Sequence, residues 1–262
     1  MSGATSTFYE FWQQTKDAPE VDLDFAKLIG LMPKVYLDNL GIVDLPEPEA
    51  GLFSGTVAEL FLRRHSTREY ASRPVPLDLL STLLHYAAGV KGYLSAYGYG
   101  SFPMRTFPSA GGLMATEVYI LAVAVEGLCT HGIYHYNPIG HCLELVRSDP
   151  DASTAVLDDL LAGMPPFLEI RPALALLLSS RFGPVEEKYS ARGSRFALLD
   201  TGIVIENFYL AATGLGLGLV AVGGSHDELV SAAIGLDPCR DHEAPVAAIL
   251  MGLPLQTSER AS

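Results

Sequence analysis

Lys188 and Tyr189 are neighbours in the chain, and of all its side chains they are the best suited to moving a proton. A partly buried lysine shifts its pKa readily, and a phenol beside it can give or accept the same proton. Arg64-His65-Ser66-Thr67-Arg68 places two guanidinium forks around two hydroxyls. That pattern suits phosphate, although a short basic patch is more often solvated surface. Pro108-Ser109-Ala110-Gly111-Gly112 is a run of small residues. It lets backbone approach a flat ring and turns N–H groups toward an acceptor, but an ordinary helix start capped by Ser109 would read the same. Glycines at 214, 216 and 218 lead into Leu219-Val220-Ala221-Val222-Gly223-Gly224. These glycines precede a strand, and no G-x-G-x-x-G opens a helix after one, so a dinucleotide fingerprint is excluded. The plain alternative is a strand ending in a tight glycine turn.

The elements that must position these groups mix helix and strand without βαβ alternation, which predicts an α+β fold. A short amphipathic helix is expected at Phe8–Lys16 and a linker at Leu45–Glu49. Thr56 with Glu59 forms a capping box for a helix ending near Arg64, and a second helix should follow Pro76 with Leu79, Leu80, Leu83 and Leu84 on one face. Residues 90–107, rich in Gly, Tyr and Ser, read as a long loop. Strands are expected at Val118–Val125, Gly132–Tyr136, Leu143–Val146, Ala173–Ser179, Leu219–Val222 and Val246–Met251, with Asn137–Gly140 as a hairpin turn. Helices should cover Ala152–Leu161, Arg195–Gly214 and His226–Ile234. A helix as apolar as Arg195–Gly214 must be buried in a core or a subunit interface.

Taken together, Arg64–Arg68, Pro108–Gly112, Lys188-Tyr189 with Arg192-Gly193, and Ala221–Gly224 resemble the nitroreductase-like flavoenzymes. More specifically, they resemble the SagB-type dehydrogenases that oxidise azolines in ribosomal peptides. The resemblance runs from Phe8-Tyr9-Glu10-Phe11 to Met251-Gly252-Leu253-Pro254. It implies a mostly antiparallel sheet flanked by helices, in a homodimer with two FMN molecules at the interface. It implies one domain, residues 56–262, carrying the flavin behind an N-terminal extension, residues 1–55. Arg64 would hold the phosphate or ribityl end, with His65 beside it, while Ser66 and Arg68 lie nearer the pyrimidine side. Pro108, Ser109, Ala110 and Gly111 would touch the ring, in relatives from the partner subunit, and Ala221, Val222, Gly223 and Gly224 would face its reactive edge. Lys188 and Tyr189 would serve the proton transfer that accompanies hydride loss from a peptide or carrier-bound azoline. Cyclodehydratase-type partner proteins are implied too. The chain departs from the family at Leu113-Met114-Ala115-Thr116-Glu117, where Leu-Tyr-Pro-x-Glu is usual, and at Ser225-His226-Asp227-Glu228, where Phe-Asp-Asp often follows the glycine. Two rivals are an NAD(P)H-dependent nitro- or quinone reductase and a non-catalytic scaffold subunit, neither of which needs the Lys-Tyr pair.

Composition narrows the field further. Net charge is −13, from 17 basic and 30 acidic residues, which repels a phosphate backbone and argues against nucleic-acid binding. Cys129, Cys142 and Cys239 cannot form a fully paired disulfide framework and fit a reducing compartment. With no signal-peptide pattern and no unbroken apolar run long enough for a bilayer, a cytoplasmic protein is expected. Cys129, His131, His135, His141 and Cys142 lack metal-ligand spacing and fall on a hairpin, so no metal is expected there.

Overall fold

The computed structural model describes residues 7–17, 32–165 and 171–255 of the 262-residue chain. Strand β1 (Ile42–Asp44) opens a seven-stranded sheet completed by β4 (Thr116–Ala122), β5 (Gly132–Asn137), β6 (Cys142–Ser148), β7 (Leu174–Arg181), β8 (Gly218–Val222) and β9 (Glu243–Gly252). Its order is β1-β6-β5-β4-β7-β9-β8, with every neighbouring pair antiparallel. The helices are α1 (Thr7–Thr15), α2 (Val57–Arg63), α3 (Leu77–Ala88), α4 (Pro150–Ala162), α5 (Phe182–Tyr189), α6 (Gly193–Leu215), α7 (Asp227–Ile234) and α8 (Pro238–Asp241).

Both faces of the central strands are covered. Val118 and Ile120 of β4, with Leu174, Leu176 and Leu178 of β7, pack with α3 and α6. Tyr119 and Leu121, with Ala175 and Leu177, pack with α4 and α7. A strand buried on both sides needs no polar alternation, so these two strands read in sequence as continuous apolar runs. The α+β architecture expected from the sequence is the one observed.

Helix α6 buries Ala197, Thr201, Val204, Phe208 and Ala212 against the core, yet leaves Leu198, Leu199 and Ile203 exposed. Its apolarity is therefore divided between the protein's own core and an uncovered face. Phe182–Leu215 is apolar and long enough to cross a bilayer by composition alone. It is interrupted at Ser190–Arg192 and packs against the sheet, as a core helix does.

Three sequence expectations change. Residues 90–107 are not a loop: β2 (Val90–Ala96) and β3 (Tyr99–Arg105) form a separate antiparallel hairpin turned by Tyr97-Gly98. Register shifts beside Gly92 and Ser95 break the two-residue period that would have revealed the strands. Pro108–Gly112 does not open a helix but makes one 3₁₀ turn, Ala110–Gly112, before β4. Lys188 and Tyr189 lie at the C-terminal end of α5, a helix the sequence reading missed.

Candidate active site

The candidate site residues gather at two places along α6. At its N-terminal end, Asp200 is buried and its carboxylate accepts the Ala110 N–H at 2.9 Å. Burial pushes the Asp200 carboxyl up to about 6, opposed by that N–H, which favours the ionised form. The bond ties the Pro108–Gly112 turn to the helix. Ser109 Oγ accepts the Met114 N–H at 2.8 Å, so it braces the turn's exit and does not cap a helix. Pro108 and Gly111 are exposed at the turn's outer edge.

Gly111 carries the tightest geometry. Its φ of +59° lies in the left-handed region, and a Cβ there would collide with Lys188 Nζ and Tyr189 Oη. The left-handed backbone favours glycine, and any side chain there would have to displace the ends of Lys188 and Tyr189. Lys188 and Tyr189 therefore come together on the Pro108–Gly112 turn within a single chain. Lys188 is half-buried and donates to Tyr97 Oη at 2.8 Å, with its Nζ 4.9 Å from the Tyr97 ring centre and 5.3 Å from that of Tyr189. Among the described residues no carboxylate pairs with Lys188, although Glu186 and Glu187 directly precede it in sequence. Glu186 instead accepts from Ser194 Oγ at 2.6 Å. Arg192 donates to Thr15 and Lys16 carbonyls, closing the end of α1.

The second place is toward the C-terminal end of α6. The capping box at Thr56 and Glu59 forms as expected and delivers Arg64 at the end of α2. The Arg64 guanidinium lies 5.2 Å from the Tyr209 ring centre. Ser66 Oγ and Tyr209 Oη are 3.1 Å apart, and Tyr209 Oη accepts the Ala221 N–H at 3.0 Å. Tyr209 thus joins the basic motif to the β8 motif, a role that nothing in its spacing signalled. Thr67 N–H donates to the Leu219 carbonyl at 2.8 Å, and its side chain presses so close to Gly218 that a Cβ there would lie 2.6 Å from Thr67 Cγ2.

Gly218, the first residue of β8, therefore serves the protein's own packing, and Gly216 with φ +72° closes α6 in the left-handed conformation. Gly223 and Gly224, by contrast, are exposed, and a Cβ on either would meet no protein atom within 4 Å. Ala221 is partly exposed and Val222 buried. His65 and Arg68 are exposed, and neither Arg64 nor Arg68 is paired with a carboxylate among the described residues. A hollow of about 160 Å³ lies beside His65, Thr67, Tyr209 and Leu219.

Asp200 and Tyr209 are nine residues apart, which puts the two places roughly 13 Å apart along the helix at about 1.5 Å per residue. The structure brings Lys188, Tyr189 and Pro108–Gly112 together, and separately Arg64–Arg68 and Ala221. No hydrogen bond or ion pair joins the two sets among the described residues. Tyr97, like Tyr209, is a residue the sequence reading missed, although it lies in the 90–107 segment expected to be a long loop.

The nitroreductase family model matches residues 62–253. The chain therefore belongs to the nitroreductase family. "Putative nitroreductase MJ1384" of Methanocaldococcus jannaschii is 32% identical over 172 residues, covering 64% of this chain and 79% of that protein. The microcin B17-processing protein McbC of Escherichia coli is 30% identical over 136 residues, covering 51% of this chain and 49% of McbC. The match thus spans about half of that relative. A chain of the E. coli microcin synthetase McbBCD complex with truncated pro-MccB17 bound shares the fold, with a TM-score of 0.63 at 24% identity over 94% of this chain and 87% of that one.

Proposed function

We propose that this nitroreductase-family oxidoreductase is an FMN-dependent dehydrogenase of the SagB type, converting an azoline ring in a peptide or carrier-bound intermediate to an azole. The observation that carries the reading is the meeting of Lys188 Nζ and Tyr189 Oη over Gly111. A reductase of nitro groups has no need of such a pair, whereas aromatising an azoline removes a proton from one ring carbon and a hydride from another. The resemblance to a microcin-processing protein points the same way.

The residues present fit FMN. Two arginines without carboxylate partners suit a phosphate, and the open backbone at Gly223-Gly224 leaves room for a ring. Arg64, His65, Ser66 and Arg68 would hold the phosphate and pyrimidine ends, with Pro108–Gly111 and Ala221–Gly224 along the ring. Bound there, FMN supplies a two-electron acceptor for the hydride. Because the two groups of residues lie at different stretches of α6, a second copy of the chain would complete each site, its exposed Leu199 and Ile203 face forming the contact.

In the proton step, Lys188 or Tyr189 takes the proton from the substrate carbon and the other residue steadies the base. Asp200 holds the Ala110 N–H, so the turn beneath both groups stays in place. The match to a microcin-processing protein and to a chain of a three-protein synthetase also supports cyclodehydratase-type partners for this chain.

The similarity to MJ1384 favours a second reading, an NAD(P)H-dependent nitroreductase. Mixing the flavin-loaded protein with NADPH separates the two. Bleaching of the flavin within the turnover time supports the reductase. Loss of two hydrogens from an azoline peptide, with no bleaching by NADPH, supports the dehydrogenase.

A further inference from the structure

Lys188 and Tyr189 do not meet Gly111 alone. The tip of the β2–β3 hairpin places Tyr97 in the same spot: its hydroxyl donates to the Gly111 carbonyl and accepts from Lys188 Nζ at 2.8 Å. One hydroxyl can do both, since it carries one proton and two lone pairs. Tyr97 has φ +55° and Gly98 φ +79°, the paired left-handed conformation of a tight two-residue hairpin turn. Asn-Gly adopts such a turn with little strain, whereas a bulky aromatic at the first position is strained. Strain of this kind persists only where surrounding contacts over-determine it. Here those contacts are Lys188, Gly111 and the Phe102 ring, whose centre is 5.5 Å from that of Tyr97.

We infer that Tyr97 is the positioning residue of the proton-transfer site, its phenol oxygen holding the Lys188 side chain over Gly111. The inference rests on the reading of Lys188 and Tyr189 as the proton-transfer pair. Lys188 has four rotatable bonds and, among the described residues, no carboxylate anchor, so an oxygen at fixed distance is what selects one placement of its Nζ. The same hydroxyl grips the Pro108–Gly112 turn, so the lysine and the turn stay in register. The hairpin stands apart from the main sheet, and delivering this side chain accounts for its position.

The test uses the flavin-loaded full chain with Tyr97→Phe, and Lys188→Met and Tyr189→Phe as references. Tyr97→Phe keeps the ring on Phe102 and beside the ammonium and removes only the oxygen. Turnover of an azoline peptide should fall in kcat by about tenfold or more, with KM and flavin absorbance unchanged. Amide exchange at residues 96–99 and 110–112 should quicken, because the tie to Gly111 is gone. Wild-type kcat in Tyr97→Phe, or a loss carried by KM alone, overturns the inference. If Lys188→Met is then inactive, the proton-transfer reading survives without Tyr97. If Lys188→Met and Tyr189→Phe both turn over at the wild-type rate, that reading falls as well.

Discussion

Two polar centres stand in this molecule, and they are built on opposite rules. One lies against the outer half of the sheet. Buried His135 places Nδ1 2.9 Å from Glu144 and Nε2 3.2 Å from Glu117, while Arg181 Nε lies 3.0 Å from Glu117. Lys34 Nζ reaches Glu243 at 3.0 Å, and Ser179, Tyr119, Tyr36 and Asn137 fill remaining acceptor positions. Glu117, Glu144 and Glu243 thus face Arg181, Lys34 and His135, with buried Arg105 adding its charge near Glu117. Burial opposes ionisation of Glu117, yet Arg181 and His135 overcome it and hold that carboxyl down to about 2. Burial likewise opposes charging of His135, and Glu117 and Glu144 outweigh it and raise its pKa. The other centre, over Gly111, has one ammonium, two phenols and strained backbone, with no carboxylate on the lysine among the described residues. The sealed centre spends its charges on itself and clamps the 32–36 segment onto the sheet. The other leaves Gly111 exposed and Lys188 and Tyr189 only partly buried. What marks a candidate site here is incomplete partnering, not the number of titratable groups.

The contrast breaks first at the sealed centre. Glu117→Ala would strand Arg181 and His135 as buried, under-compensated charges, at a cost of about 3–5 kcal/mol in stability. Urea unfolding should show that loss, and any folded fraction should keep the proposed flavin site. A wild-type midpoint would mean the network holds nothing together. The sign with pH follows from the lowered carboxyl: its contribution is present above pH 4.5 and drains away as pH falls toward 2.

Gly111→Ala comes next. The left-handed backbone and the collision with Lys188 and Tyr189 should cost about 1–3 kcal/mol, and turnover should fall far more than that stability change explains. Equal activity in the alanine variant would show that the close approach is incidental.

The smallest effect is at Asp200. Its carboxyl titrates near 6 in the folded chain against 3.8 ordinarily, so the folded state holds the proton more tightly. The contribution is full below about pH 4 and is lost as pH rises to about 6. Wild type should therefore lose stability relative to Asp200→Asn across that window, read as diverging urea midpoints. Parallel curves would remove Asp200 as a titrating brace of the turn.

The sequence exposed much of this. The β4 and β7 runs, the Thr56–Glu59 cap and the long α6 have local causes, and local causes leave local patterns. The Lys188-Tyr189 and Pro108–Gly112 motifs stood out only through the family resemblance, since each alone reads as ordinary helix and turn sequence. Their meeting was not legible, since 77 positions separate Gly111 from Lys188 and only the packing of α5 and α6 against the turn brings them close. Tyr97 was hidden by a hairpin whose bulges erase its period, and Tyr209 by looking like one more apolar helix residue. His135, which invites a metal reading, is committed to Glu117 and Glu144.

The most direct measurement is mass analysis of an azoline-containing peptide after incubation with the wild-type chain, Lys188→Ala and Tyr189→Phe, each with its flavin absorbance recorded. The expected result is loss of two hydrogens with wild type, and a rate about 10²- to 10⁴-fold lower in at least one variant, with the flavin retained in all three. Undiminished oxidation in both variants would contradict the assignment of proton transfer to the pair over Gly111.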